Sequence, residues 1–322
     1  MVSRWKRDPL RASVPQGVLA LRRFGRNAAG RQAVVGPRLT DTVYGRIGDL
    51  EVRLAGTRAD VKLAQRLRYD VFYKEMSAKP TFTAQMRGRD EDRYDGICDH
   101  LLVVDTSLED DGRGWTARRK TQVVGTYRVL RQEVAQRTCG FYTQREYDVA
   151  PLIATKPGAR FMELGRSCVL KPYRNKRTVE LLWHGLWTYV REHRVDVMIG
   201  CASFEGTNPN ERAMALSFLH HHALAPEEWR VRAHGHLHVP MDRLPKEKVD
   251  VKAALKALPP LIKGYLRLGA FVGHGAVIDR QFGTIDVLIV LPVEEIDSRY
   301  FDHFGAPDQR ESRIAAPRKG IN

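Results

Sequence analysis

Residues 160–190, RFMELGRSCVLKPYRNKRTVELLWHGLWTYV, restrict the fold more than any other stretch of this chain. They begin as an alternating apolar run with a glutamate and an arginine set into it and then cross a loop from Pro172 to Lys176. Beyond the loop, Val179, Leu182, Trp183, Leu186 and Val190 recur at helical spacing. The change of period predicts a strand, a loop and a helix. The free N–H groups and positive dipole at the start of that helix, beside Arg174, Lys176 and Arg177, make an anion site.

In a regular strand Glu163 and Arg166 would point to opposite faces, because they are an odd number of positions apart. Gly165 between them permits a bulge that brings both to one side and frees backbone N–H groups. Such a bulge would set an oxyanion donor beside a carboxylate able to handle a proton. The alternative is a buried Glu163–Arg166 ion pair that only orders the strand.

The rest of the chain alternates strand and helix patterns. Strands are expected at 50–54, 100–105, 122–129, 195–204, 270–278 and 285–291, and helices at 58–76, 208–222 and 249–268, with a short helical connection at 141–152. Arg68 borders the apolar face of the first helix, where it either snorkels or serves the site. Asp90, Glu91, Asp92, Asp95 and Asp99 crowd the approach to the second strand, either as a solvated loop or as a pocket for a cationic substrate. Residues 109–120 suit a hairpin loop. Without a Pro-, Gly- or Ser-rich linker in the middle, this reads as one α/β domain over residues 46–305, with an arm at 1–45 and a polar tail at 306–322.

The formal net charge of +15 predicts an anionic partner: nucleic acid, anionic lipid or an acidic protein. No helix-turn-helix, zinc or RNA-binding motif is present, which argues against nucleic acid. The arm holds nine arginines and lysines before position 40 against the single acid Asp8, with Leu10, Val14, Val18, Leu21, Phe24 and Ala28 at spacings of three and four. That pattern suits either a helix lying in an anionic membrane interface or a disordered tail. No run reaches the length of a transmembrane span. Four cysteines without a CxxC pair read as reduced thiols, and His220–His222 and the alternating His234, His236 and His238 lack the cysteine or acidic partners of a metal site. No metal is therefore expected.

The order of elements, with VLKPYRNKRTV leading into the long helix, resembles the GNAT acyltransferases. This implies a mixed central sheet flanked by helices, here extended by a carboxy-terminal segment. In that family the loop carries small residues that let the backbone cradle the pyrophosphate of coenzyme A. Here Arg177 and Val179 stand at those positions, which favours acyl-phosphopantetheine on an acyl carrier protein, with no dissociable cofactor. The segments RYDVFYKEM, DEDRYDGICDHLLVVD, VVGTYRVL and MELGRSCV resemble the acyl-homoserine-lactone synthases. With the tail LPPLIKGYLRLGAFVGHGAVIDRQFGTIDVLIVL, residues 49–304 resemble the ornithine N-acyltransferases still more closely.

That resemblance implies transfer of a 3-hydroxyacyl group from acyl carrier protein to the α-amine of L-ornithine, forming lyso-ornithine lipid. Such an enzyme would be cytoplasmic, peripheral on the inner face of the membrane. The alternatives are a lactone-synthase-like enzyme or an acyl-coenzyme A-dependent transferase acting on another amine. Carried over by position, the resemblance implies catalytic roles for Glu163, Arg166 and Asp99, and substrate binding by Arg68, Phe72, Asp92, Asp95 and Arg128. It implies acyl-pantetheine binding by Val169, Arg174, Asn175, Lys176 and Arg177. The tryptophan that usually follows the phenylalanine in lactone synthases is missing after Phe72, which favours ornithine.

Overall fold

The computed structural model describes residues 42–76, 78–107 and 122–296, so the arm helix, the 109–120 loop and the 306–322 tail lie outside the described residues. Eight strands form one mixed sheet in the order β1-β2-β3-β4-β5-β6-β8-β7. They are β1 (Val43–Ile47), β2 (Leu50–Leu54), β3 (Asp99–Asp105), β4 (Gln122–Arg131), β5 (Phe161–Val169), β6 (Val197–Glu205), β7 (Phe271–Asp279) and β8 (Thr284–Pro292). Only β5 and β6 run parallel, and the other neighbours are antiparallel. The mixed sheet flanked by helices agrees with the expected fold class.

The helices are α1 (Arg58–Tyr69), α2 (Phe82–Arg87), α3 (Gln132–Arg137), α4 (Ala150–Thr155), α5 (Lys176–His193), α6 (Ala213–Ala223), α7 (Val251–Ala257) and α8 (Pro260–Arg267). Helix α5 starts where the change of period places it, because the Asn175 side chain accepts the Thr178 N–H at 3.1 Å, and it ends at Arg194 in the left-handed conformation. It lays Leu182, Trp183, Leu186 and Val190 on one face of the sheet, against Val52, Leu101 and Val103. Val179, expected on that face, is 45% exposed, and Thr178 takes the inward position in the first turn of α5 instead. Helix α1 covers the other face over Leu102 and Val104, opened by a reciprocal Thr57–Asp60 capping box. Its last turn passes into a π-helical segment, Asp70–Glu75.

Three elements depart from expectation. Strand β1 begins inside the region read as arm. The helix expected over 249–268 is two helices, since Pro259 and Pro260 cannot continue the first and instead open the second. The connection at 141–152 is a 3-10 turn, Tyr142–Arg145, followed by α4, in which Pro151 lies in the first turn rather than ending the segment. Among the described residues no helix is long and apolar enough to cross a membrane.

Candidate active site

Strand β5 contains the bulge that its sequence allows. Thr126 of β4 pairs with Cys168 but Arg128 pairs with Gly165, so β5 holds one extra residue there. The backbone strain falls on Arg166, at φ 50°, rather than on Gly165. The bulge turns Arg166 to the face that carries Glu163 and away from α5. Its guanidinium lies 5.0 Å from the centre of the Tyr142 ring and 4.5 Å from that of Phe282.

Glu163 and Arg166 do not pair with each other. The Glu163 carboxylate accepts the N–H of Tyr142 at 2.8 Å and of Thr143 at 2.6 Å, which fastens the 3-10 turn over the sheet. Burial still outweighs these donors and raises its carboxyl above the ordinary value. The Thr143 side chain adds a third donor, and a carboxylate with about four acceptor sites can still take a proton.

The acids of the 90–99 segment are matched by arginines, which corrects the reading of them as a cation pocket. Arg68 is fully buried; its Nε donates to Asp90 at 2.8 Å and its Nη2 to both oxygens of Asp95 at 2.8 Å. Arg128 reaches Asp92 at 2.7 Å and Asp95 at 3.2 Å. Arg166 adds Asp90 at 3.2 Å and Asp92 at 3.5 Å. Burial opposes ionisation of Asp95, but Arg68 and Arg128 overcome it and hold the carboxyl well below the usual range. Arg68 and Arg128 are thus structural partners of these acids, while Arg166, with 14% of its side chain exposed, is the arginine of the network nearest solvent, beside Asp92 at 24%.

Asp99 stands apart. It pairs with Val129 in the ladder and faces α5, where Tyr189 donates to it at 2.5 Å and Arg131 lies at 3.5 Å. Strand alternation therefore places it on the opposite face from Glu163, and its expected catalytic role is not supported by position. Phe72 packs edge-on against Phe282 at 5.7 Å, joining the π-helical segment to the β7–β8 turn.

Of the expected pantetheine residues, Asn175 caps α5, the Val169 carbonyl accepts Arg174 Nε at 2.9 Å, and Arg174 also pairs with Glu75 at 2.5 Å. Arg177 donates to the Ile47 carbonyl at 3.1 Å. Lys176 is 81% exposed, against 40% for Arg174, with Glu180 at 3.5 Å.

Sequence reading missed the gap beside these groups. Strands β5 and β6 pair only from Phe161↔Val197 to Glu163↔Ile199, although both continue for several residues. Beyond Glu163 they part, and the wedge leaves backbone N–H and C=O groups of β5 without a strand partner on that side. Groups of this kind hydrogen-bond an extended amide-bearing chain in place of a strand. At the apex a Cβ on Gly200 would stand 2.3 Å from the Leu164 carbonyl oxygen, so only glycine fits. A small apolar cavity flanks the apex, lined by Leu164, Met198, Gly200, Ile289, Leu291 and Tyr265. Gly200 inside the strong apolar run 195–204 was the one local signal of this close approach.

A mixed sheet whose two parallel strands separate beside a buried carboxylate defines an acyl-transfer domain of the GNAT class, and the acetyltransferase (GNAT) domain family matches residues 67–184. Over a longer span the chain is 53% identical to the L-ornithine N(alpha)-acyltransferase of Rhizobium meliloti (strain 1021), covering 89% of this chain and 94% of that protein. It is 53% identical to the protein of the same name from Brucella abortus (strain 2308), over 83% and 93% of the two chains. Against that from Agrobacterium fabrum (strain C58 / ATCC 33970) it is 50% identical, over 89% and 97%. The chain belongs to the L-ornithine N(alpha)-acyltransferase family.

Proposed function

We propose that this protein acylates the α-amine of L-ornithine with a 3-hydroxyacyl group taken from acyl carrier protein, forming lyso-ornithine lipid. The observation that carries the reading is the wedge beside Glu163, found in a chain 53% identical over most of its length to proteins named for that acylation. The thioester enters the wedge with its pantetheine amides against the free edge of β5. The neutral α-amine attacks the carbonyl carbon, the amine proton passes to Glu163, directly or through water, and as the C–S bond breaks Glu163 returns that proton to the departing thiolate, which leaves as the thiol. Backbone N–H groups freed at the Gly165–Arg166 bulge hold the oxyanion, and Arg166 receives the substrate carboxylate.

A carrier protein fits the start of α5 better than coenzyme A does, because side chains at Arg177 and Val179 fill positions where a pyrophosphate cradle needs small residues. The exposed Lys176 offers an acidic carrier a cation. Assays offering ornithine, lysine and S-adenosylmethionine, each with 3-hydroxyacyl carrier protein and with the same acyl group on coenzyme A, test the reading. Ornithine with the carrier is the expected productive pair. Equal turnover with coenzyme A would reject the donor, and preferred use of another amine would reject the acceptor. Peripheral membrane binding through the basic arm predicts that deleting residues 1–40 abolishes flotation with anionic liposomes; unchanged flotation would reject it.

A further inference from the structure

Beside the wedge lies a second group of acids whose electrostatics are the reverse of the arginine-matched set. Glu146 follows the 3-10 turn, Asp279 ends β7 and Asp286 lies on β8, and one carboxylate oxygen from each falls within 4.8 Å of the others. Among the described residues none of the three has a basic partner at ion-pair distance, since Arg166, which faces them, is engaged by Asp90 and Asp92. Glu146 accepts only the Cys201 thiol, at 3.3 Å, and Asp279 accepts the N–H groups of Gln281 and Phe282 in its own turn. Oδ1 of Asp286 is buried without any hydrogen-bond donor, and so is the Thr284 hydroxyl two residues before it on the same face of β8. Burial, reinforced by Asp286, pushes Glu146 up to about 7, and burial with Asp279 nearby pushes Asp286 up to about 6. Ser203, opposite Asp286 on β6, offsets part of that burial, but a buried carboxylate without a cation and with one oxygen undonated is still costly, and a ligand that brings a charged donor removes the cost.

We propose that Glu146, Asp279 and Asp286 form the pocket for the non-reacting, positively charged side-chain amine of the acceptor amino acid. The assignment rests on the diamino-acid acceptor proposed above and adds where its second amine is held. Three carboxylates stabilise an ammonium and so would suppress attack by whichever amine they hold; the cluster therefore suits the amine that stays charged. Its position agrees. Glu163 pairs with Ile199, Cys201 lies two residues further on the same face of β6, and Asp286 stands opposite Ser203. One strand separates β5 from β8, about 10 Å at sheet spacing, and Ser203 lies four residues beyond Ile199, about 13 Å along β6, so the backbones of Glu163 and Asp286 stand roughly 16 Å apart. A short diamino acid, with a carboxylate side chain reaching to it from each end, bridges that gap with its α-amine toward Glu163. Arg166 between the two ends is placed for the α-carboxylate.

Isothermal titration of the full chain, without acyl donor, tests this with ornithine and with norvaline, which lacks the side-chain amine. The wild type is expected to bind ornithine at least about tenfold more tightly, the effect of about one charge-assisted hydrogen bond. Glu146→Gln and Asp286→Asn should each remove most of that preference while leaving norvaline binding unchanged. Both variants relieve like-charge crowding, so each should melt no lower than the wild type at pH 8. A preference retained in both variants overturns the proposal. So does tight binding of Mg²⁺ or Ca²⁺ by the wild type that is lost in Asp286→Asn, which would make the cluster a metal site. If instead the wild type prefers lysine over norleucine but not ornithine over norvaline, and the variants lose that preference, the pocket stands and the ornithine reading falls.

Discussion

Replacing Arg68 with methionine tests whether this buried arginine is a fastener or a substrate ligand. Arg68 is 0% exposed and donates to the side chains of Asp90 and Asp95 and to the Asp90 carbonyl. Methionine keeps the apolar stem under α1 but leaves two carboxylates short of a cation. Breaking a buried charge pair by removing one partner typically costs about 3–5 kcal/mol. Arg166 at 3.2 Å from Asp90 and Arg128 at 3.2 Å from Asp95 remain, which places Arg68→Met at the lower end, about 3 kcal/mol. For a chain of this size that is a fall in Tm of roughly 4–6 °C.

The loss should depend on pH in a fixed direction. Burial opposes the charge on Asp90 and Asp95, but the arginines win and depress both carboxyls. Stability from a depressed carboxyl is present above its unfolded pKa and is lost as pH falls through the folded one. The difference between wild type and variant in urea unfolding should therefore be full at pH 7 and narrow below about pH 4. A variant within about 0.5 kcal/mol of wild type at pH 7, or a gap that widens on acidification, would refute the fastening role.

Further outcomes follow from the same geometry. Glu163→Gln should lower turnover about 10²-fold or more, and it turns an amide N–H₂ toward the N–H of Tyr142 or Thr143, at about 1–3 kcal/mol in urea unfolding; near-normal turnover would sink the base assignment. Glu146 and Asp286 have raised carboxyls, so their stabilising contribution is full below about pH 4 and lost as pH rises through 6–7. The Tm of the free protein should fall between pH 5 and 8, less so in Glu146→Gln and less so with saturating ornithine; a flat profile would count against the crowded acids. Gly200→Ala drives a methyl into the Leu164 carbonyl and should cost about 1–3 kcal/mol while weakening acyl-donor use, read as a raised KM for the donor; an unchanged melt and KM would remove the wedge apex from the argument.

Local periodicity is enough to locate β5, α5 and the tail strands, and Gly165 marks where the bulge can form. Matters settled by pairing between distant strands were not legible. Asp92, Asp95 and Asp99 look alike in the chain, yet Asp92 and Asp95 meet arginines from β4, β5 and α1, while one step of strand alternation sends Asp99 under Tyr189. The wedge exists because β6 is paired along its length by β8 but only briefly by β5, a property of sheet order rather than of any segment. Glu146, Asp279 and Asp286 belong to two well-separated stretches of chain, so no spacing rule could have grouped them. Val179 obeys the helical period and is still exposed, while the polar Thr178 beside it is fully buried, because apolar periodicity does not register a small hydroxyl residue that turns inward.

The turn between β7 and β8 reaches back to the first half of the chain: Gln281 accepts the Lys79 N–H at 2.7 Å, and Phe282 sits on Phe72, Tyr73 and Arg166. The order of synthesis then matters. A nascent chain that has emerged through α5 already contains Arg68, its acids, Glu163 and Arg166, but β6 has not yet been made and later waits for β8 along its length. Contacts of such long sequence separation form late. The final strands thus bring the outer edge of the sheet, the clasp over Arg166 and the Asp286 carboxylate together, so a chain truncated before β7 lacks the contacts that cover Arg166.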